Sequence, residues 1–249
     1  MPDFQDYFSE AAKTYAAYRP RYPAALFRWL AAAAPDRGCA WDCGTGNGQA
    51  ATALGDHFAF VVATDPSTSQ LSHARQHARV QYAAMRAEQC ALRSGSVQLI
   101  TVAQALHWFD REEFFREATR VLAPRGMIAV WMYGLLQITP PLDEILRRFY
   151  EDELGAFWPA ERALVDSGYA DVQLPFHEIR APKFEMAANW TLHELAGYLT
   201  SWSAVNRYRA ARGTNPVTSC VERLAPLWGD PAGKRPIRWP LTVMAGIAA

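Results

Sequence analysis

The sequence has little of what marks charged, secreted or membrane-spanning proteins. Its 25 lysine and arginine residues balance 25 acidic residues, so no surface for a nucleic acid backbone is indicated. Its 4 cysteines form no CxxC pair and do not cluster with the 6 histidines, which indicates neither disulfides nor a metal site. The longest apolar stretch, Met127 to Leu136, is too short to span a bilayer, and the acidic start does not resemble a signal peptide. We therefore expect a cytoplasmic monomer or homodimer that binds no nucleic acid, membrane or metal.

What the first two thirds of the sequence do contain is an alternation of strand-like and helical segments. Five short apolar runs are typical of strands: residues 39–41, 58–64, 80–83, 97–103 and 127–133. Helical patterns separate them, and Ser67 and Asp110 are each followed three residues later by Gln or Glu, a signature of helix N-termini. This alternation predicts an α/β fold with a mostly parallel sheet.

The last third gives weaker signals. It predicts helices over residues 142–154, 192–212 and 217–227, a strand-like stretch near 176–184 and a final strand over 237–247. The helix that begins at Ser67 is expected to run to about Ala78. We expect one domain over residues 1–249: an N-terminal arm (1–35), a cofactor-binding core (36–134), and lid helices with the last strands (135–249).

Residues able to bind a ligand gather at the predicted carboxyl ends of the first two strands. A loop with three alternating glycines runs from Asp42 to Gly48, and Asp65 follows Gly44 by about 20 residues. In an open parallel sheet, ligands bind beyond the carboxyl ends of the strands, and an acid at this spacing can accept hydrogen bonds from a ribose diol. The pattern predicts a nucleoside-containing cofactor.

A nicotinamide-dependent reductase is one alternative for this loop. The dinucleotide pattern GxGxxG would place its third glycine at position 49, but that residue is Gln49 and the third glycine is Gly48. A plain tight turn is another alternative, but it leaves Asp65 without explanation. The spacing therefore disfavours both.

Further motifs follow the later strands. They are Ala87-Glu88-Gln89 after the third strand, Gln104-Ala105-Leu106-His107-Trp108 after the fourth, and Leu122-x-Pro124-x-Gly126 before the fifth. With Asp42-x-Gly44-x-Gly46-x-Gly48 and Asp65, they resemble the class I S-adenosylmethionine-dependent methyltransferases, in the methyltransferase type 11 superfamily. The segments Phe8 to Pro23 and Gln104 to Phe109 are similar to the subgroup that contains trans-aconitate methyltransferases.

This resemblance implies a Rossmann-like sheet of seven strands, with helices on both faces and an antiparallel seventh strand. It also implies S-adenosyl-L-methionine as cofactor and S-adenosyl-L-homocysteine as product. Asp42 would pair with the cofactor's ammonium, Arg19 with its carboxylate and Asp65 with its ribose. The implied cofactor-binding residues are Arg19, Asp42, Gly44, Thr45, Gly46, Asn47, Gly48, Asp65, Pro66, Ala87, Glu88, Gln89, Gln104 and Ala105.

The expected methyl acceptor is a small molecule, with a carboxylate as the leading candidate. A carboxylate needs hydrogen-bond donors, whereas a hydroxyl or amine would need a base, for which His107 is the candidate beside Trp108. The candidate acceptor-binding residues are Tyr15, Tyr18, Tyr22, Tyr133, Arg207 and Arg209. Structural roles stay open for the aromatic arm, for Arg19 and for His107, and so does a non-catalytic cofactor-binding protein.

Overall fold

The computed structural model describes residues 20–249, so the predictions for Tyr15, Tyr18 and Arg19 lie outside the described residues. The strands are β1 (Cys39–Cys43), β2 (Phe60–Asp65), β3 (Val80–Ala84), β4 (Val97–Ala103), β5 (Leu122–Tyr133), β6 (His177–Glu178), β7 (Phe184–Trp190) and β8 (Arg235–Ile247). The α-helices are α1 (Ala24–Ala33), α2 (Gln49–Gly55), α3 (Thr68–Ser72), α4 (Arg111–Val121), α5 (Pro140–Arg148), α6 (Arg162–Asp166), α7 (Leu192–Thr200), α8 (Ser203–Arg212) and α9 (Pro216–Trp228).

One sheet with the strand order β3-β2-β1-β4-β5-β8-β6 organises the molecule. The strands β1 to β5 pair in parallel, and β8 is antiparallel to β5 and to β6. The predicted mostly parallel sheet with an antiparallel last strand is therefore confirmed. An eighth strand, β7, adds to it by pairing with the first half of β8, from Phe184 opposite Leu241 to Trp190 opposite Arg235.

The parallel strands are buried on both faces, as their continuous apolar sequences predict. On one face Trp41 packs in the same cluster as Ile100 and as Phe114 of α4. On the other, Leu26 of α1 and Leu54 of α2 cover the sheet. Because both faces carry helices, the carboxyl edge of the sheet is left as the place for a ligand.

The helices α5, α7, α8 and α9, which we call the lid helices, form a cluster of their own. Leu146 of α5, Leu195 of α7 and Trp228 of α9 belong to it. The same cluster contains Tyr133 and Leu136, at and just beyond the end of β5. The lid helices therefore pack against the carboxyl end of the sheet. None of the helices in residues 20–249 is long and apolar enough to cross a membrane.

The helix predicted from Ser67 to Ala78 is shorter than expected. Its cap is confirmed, because the Ser67 side chain accepts a hydrogen bond from the Gln70 amide, but α3 ends at Ser72. The Arg75 amide donates to the Asn47 carbonyl at 3.1 Å, and the Tyr82 hydroxyl donates to the Arg75 carbonyl. These contacts replace the bonds that would continue the helix and tie the segment to the glycine loop.

The predictions for the last third also miss local breaks. The helix expected over 192–212 is two helices, since Trp202 is extended and precedes the first turn of α8. The helix expected over 142–154 ends at Arg148 and continues as a π-helical turn, Phe149–Glu153. The strand-like stretch near 176–184 is divided between β6 and β7.

Candidate active site

The glycine loop after β1 packs tightly against its neighbours. The amides of Gly44 and Thr45 both donate to the Thr64 carbonyl at 2.9 Å. A Cβ on Gly44 would stand 2.6 Å from the Ala105 Cβ, and one on Gly48 would collide with the Tyr82 hydroxyl. A side chain at either position would therefore have to displace Ala105, just beyond β4, or Tyr82 of β3.

Gly46 differs from its two neighbouring glycines because the space beside it is open. Where its Cβ would stand, the nearest described atom is the Gln70 Oε1 at 4.0 Å. Its amide donates to Asp65 Oδ2 at 2.9 Å, and Asp65 Oδ1 accepts from the Ser67 amide at 2.9 Å. The structure thus brings the glycine loop and the end of β2 together, as the sequence predicts. Of the neighbouring predicted residues, Pro66 is exposed and Asn47 is half-buried.

Asp42 is fully buried at the end of β1. Its Oδ2 accepts from the Thr45 hydroxyl at 2.6 Å, and its Oδ1 accepts from the Thr101 hydroxyl at 2.7 Å. Burial raises the pKa of Asp42 from 3.8 to about 6, although the hydrogen bonds from Thr45 and Thr101 favour the ionised form. Sequence reasoning missed Thr101, which lies inside a strand and matches no motif.

The end of β4 presents a buried acceptor. Gln104 has a left-handed backbone with φ of 56°, and its amide donates to the Trp131 carbonyl. Its Nε2 donates to the Tyr133 carbonyl at 2.9 Å, whereas its buried Oε1 has no hydrogen-bond partner within residues 20–249. Buried amide oxygens are rarely left without a donor, so this atom needs a donor that residues 20–249 do not supply.

The loop after β3 is fastened to α4. Glu88 Oε1 accepts from the Asp110 amide at 3.0 Å, and its Oε2 accepts from Arg86 Nε at 3.3 Å. Ala87 is buried in the core and Gln89 is exposed. Of the three predicted adenine-edge residues, Glu88 thus has both carboxylate oxygens engaged by the protein itself.

His107 and Trp108 follow Ala105 in a short 3₁₀-helix, Leu106–Trp108. The His107 side chain is buried, and its Nδ1 is 3.0 Å from the Tyr169 hydroxyl. Burial, with the positive charge of Arg162 as a second cause, lowers the pKa of His107 from 6.5 to about 3. The imidazole is therefore neutral near pH 7, with one ring nitrogen engaged by Tyr169.

The candidate acceptor-binding residues lie in different surroundings. Tyr133 is buried in the lid cluster, whereas the Tyr22 ring packs edge-on against Trp131, with centroids 5.5 Å apart. Arg207 Nη1 donates to the Phe157 carbonyl at 3.4 Å, and Arg209 is exposed on α8. Of the four candidates within residues 20–249, Tyr133 alone lies at the end of β5, beside Gln104.

A polar group that sequence reasoning missed lies close to His107. It contains Tyr169, which has a left-handed backbone with φ of 60°, and Arg162 of α6. Arg162 Nε donates to the Tyr150 hydroxyl at 2.8 Å. These residues come from short, irregular elements, where no spacing rule could have singled them out. The described residues contain no cluster of three or more side chains suited to holding a metal.

Comparisons with known proteins agree with this geometry. Residues 41–130 match the family model described as a methyltransferase domain. A Dictyostelium discoideum protein named as a methyltransferase is 34% identical over 225 residues, which cover 89% of this chain and 86% of that protein. The solved structure of a type II methyltransferase from Anaeromyxobacter dehalogenans is 42% identical, with a TM-score of 0.87, and covers 93% of this chain and 98% of its own.

A more distant solved structure supports the fold alone. It is a methyltransferase from an antibiotic biosynthesis pathway of Anabaena variabilis, 20% identical with a TM-score of 0.53. The match covers 88% of this chain and 98% of that one.

Proposed function

Because the chain belongs to the class I S-adenosylmethionine-dependent methyltransferases, we propose that it methylates a small molecule and that the accepting group is a carboxylate. S-adenosylmethionine is the cofactor of this family, and the nicotinamide alternative no longer stands. The subgroup of trans-aconitate methyltransferases stays a prediction from the arm and from the segment after β4.

The residues at the carboxyl edge suit this cofactor. The open side of Gly46 leaves room for a ligand, and the Gln104 Oε1 lacks a donor within the described residues. We assign the ribose to Asp65 and the ammonium to the negative field of Asp42, whose two oxygens already accept from threonine hydroxyls. Ala87 and Gln89 would edge the adenine, while Glu88 holds the loop in place.

The observation that carries the carboxylate proposal is the state of His107. A general base works best when its pKa lies near the working pH, and a pKa of about 3 makes His107 a weak base. A carboxylate with a pKa near 4 is already ionised at neutral pH and needs no base. In addition, the buried contact with Tyr169 engages the Nδ1 of His107.

The lid helices support a small acceptor. Tyr133 and Leu136 lead from β5 into the same apolar cluster as Tyr198, and Trp202 packs on Tyr198 with centroids 5.8 Å apart. Small-molecule sites are lined mostly by apolar and aromatic side chains, so a cluster of such side chains at the end of the sheet supports a small acceptor.

Bound S-adenosylmethionine supplies an activated methyl group for in-line displacement. The protein's contribution is to align the acceptor and to exclude water, which the buried aromatic wall of the lid can do. Under this mechanism no side chain has to remove a proton from the acceptor.

Radiolabelled methyl transfer to a panel of small acids, their amides, phenols and amines tests the proposal. Methyl esters release volatile labelled methanol in mild alkali, whereas methyl ethers and methylamines keep their label. We expect base-labile product with acids and none with amides. The rate should stay nearly flat from about pH 6 to 8 and should fall less than about tenfold in His107→Gln.

Base-stable label from phenols or amines alone would overturn the carboxylate proposal. So would a rate that rises about tenfold per pH unit and collapses in His107→Gln, because that pattern requires a protonated acceptor and a general base.

A further inference from the structure

Arg162 lies at the boundary between the cluster that covers the sheet and the cluster of the lid helices. Its guanidinium carbon lies 5.0 Å from the centroid of the Trp158 ring and 5.6 Å from that of Tyr150. Trp158 packs with the lid cluster, whereas Val165, one turn further along α6, is buried in the cluster beneath β4. The side chain of Arg162 is 21% exposed, so it is largely shielded but still reaches solvent.

The hydrogen bonds of Arg162 use one edge of the guanidinium. Nε donates to the Tyr150 hydroxyl at 2.8 Å, and this hydroxyl donates to Asp166 Oδ1 at 2.6 Å. Asp166 Oδ1 itself lies 3.5 Å from Arg162 Nε. Within residues 20–249, no hydrogen bond engages Nη1 or Nη2. The edge formed by Nη1 and Nη2 is therefore available to bind a carboxylate with two parallel hydrogen bonds, and its direction is fixed.

The helix that carries Arg162, α6, packs against the 3₁₀-helix Leu106–Trp108, and short contacts join that 3₁₀-helix to the glycine loop. The Tyr169 hydroxyl lies 3.0 Å from His107 Nδ1, and Ala105, two residues earlier, packs against Gly44. Burial is the main cause of the lowered pKa of His107, and the positive charge of Arg162 adds to it. Burial raises the pKa of Tyr169, and the same charge opposes that rise. The region beside the candidate active site thus carries a positive field that suits an anion.

We propose that Arg162, held on the rings of Trp158 and Tyr150, binds a carboxylate of the methyl acceptor through its two terminal nitrogens. This inference rests on the proposed function, since it names the group that holds an acid acceptor in place. It also replaces Arg207 and Arg209 in that role: Arg207 donates to the Phe157 carbonyl, and Arg209 is exposed.

The neighbours of Arg162 set the direction from which an acid can reach it. Trp158 and Tyr150 pack on each other, with ring centroids 4.6 Å apart, and both pack on Trp202, so the guanidinium rests on a fixed aromatic base. Asp166 is 45% exposed and carries a negative charge on the Nε side, so it repels a carboxylate from that edge and directs it to the other.

The test compares Arg162→Gln and Arg162→Lys with Arg212→Gln, an exposed control at the end of α8. The probes are benzoate, fumarate and citrate, with benzamide as the neutral counterpart of benzoate. For each variant we would measure the cofactor Kd, the acceptor KM and kcat, and the calorimetric binding of the acid in the presence of S-adenosylhomocysteine.

We expect Arg162→Gln to raise the KM and the Kd of the methylated acid by about tenfold or more, with the cofactor Kd unchanged. Lysine keeps the charge but lacks the planar edge. Arg162→Lys should therefore also raise KM, but by a factor several-fold smaller than Arg162→Gln does. Arg212→Gln should match the wild type. If the Gln variant does not fold, the Lys variant still carries the test, because its KM must rise while its cofactor Kd does not.

The outcomes distinguish the role of Arg162 from the proposal that the acceptor is a carboxylate. An acid that the wild type methylates, with KM unchanged in Arg162→Gln and Arg162→Lys, overturns the role of Arg162 and leaves the carboxylate proposal standing. A cofactor Kd that rises together with KM assigns Arg162 a merely structural role. A wild type that methylates only phenols or amines overturns both.

Discussion

The two halves of the carboxyl edge are built in different ways. On the cofactor side, Asp65 and Gly46 are joined by a direct hydrogen bond, and the backbone of parallel strands sets their positions. On the acceptor side, Arg162 and Tyr169 come from a five-residue helix and the turn after it, and they are held by side chains. Under the proposed assignments, cofactor binding depends on backbone geometry, whereas acceptor choice depends on side-chain packing that a few substitutions can change.

The largest expected loss of cofactor binding comes from filling the space beside Gly46. We expect Gly46→Val to weaken S-adenosylmethionine binding by about a hundredfold or more, because the side chain occupies the open side of the loop. The matched control is Gly213→Val, since Gly213 also has a left-handed backbone with no atom within 4 Å of its Cβ position. Both should lose a similar 1–2 kcal/mol or so of stability, measured by thermal melting, while calorimetry should show lost binding only in Gly46→Val. Equal cofactor affinities in the two variants would contradict this prediction.

A second prediction concerns the two buried groups with opposite pKa shifts. The pKa of Asp42 is raised to about 6, so its contribution to stability is full below about pH 4 and is lost as the pH rises to 6. The pKa of His107 is lowered to about 3, so its contribution is present above about pH 6.5 and is lost as the pH falls. Between about pH 4 and 6 each changes the free energy of unfolding by on the order of 2–3 kcal/mol, with opposite sign.

These two contributions cancel in the wild type, and each single variant should reveal the other. Urea unfolding of Asp42→Asn should show stability that rises with pH relative to wild type over this window. His107→Gln should show stability that falls with pH. Parallel profiles for all three proteins would show that neither pKa is shifted as the structure indicates.

The third prediction sharpens the assignment of the ribose. Asp65→Ala removes a charged acceptor, which should cost about 1–3 kcal/mol of cofactor affinity. Asp36→Ala is a suitable control, because Asp36 accepts one backbone amide, from Gly38 at 2.7 Å, away from the glycine loop. Isothermal titration of the folded variants measures the effect. Unchanged affinity in Asp65→Ala would remove Asp65 from the site.

The smallest effect is expected at Glu88. Its carboxylate accepts from the Asp110 amide and from Arg86, so its role in the structure is to fasten the loop after β3 to α4. Glu88→Gln keeps an acceptor for the amide, and we expect the cofactor Kd to change by less than about threefold. A loss of tenfold or more would assign Glu88 a direct contact with the cofactor instead.

Much of the fold and of the cofactor half could be predicted from the sequence. The strand predicted over residues 97–103 is β4, and the caps at Ser67 and Asp110 are confirmed by hydrogen bonds to the amides three residues on. These features rest on local rules, because a buried parallel strand and a capped helix each leave a pattern in adjacent residues. The contact of Asp65 with Gly46 follows from the topology that these rules imply.

The acceptor half could not be predicted in the same way. Residues 149–166 change from a π-helical turn to a 3₁₀-helix and then to α6, and none of these has a periodic apolar stripe. The left-handed Gln104 and Tyr169 carry no sequence signal, since their conformations are imposed by tertiary contacts. For the same reason the sequence predicts Arg207 and Arg209 as acceptor-binding residues and does not single out Arg162, because no motif in the last third indicates what surrounds each arginine.

The central claim is that cofactor binding and acceptor binding depend on separate residues. The most direct test is to measure cofactor Kd and acceptor KM separately in Asp65→Ala, Arg162→Gln and the double variant. The account predicts that Asp65→Ala raises only the cofactor Kd, that Arg162→Gln raises only the acceptor KM, and that the double variant shows both changes at their single-variant size. If either substitution raised both constants equally, the carboxyl edge would be one coupled site, and the separation of cofactor binding from acceptor choice would be wrong.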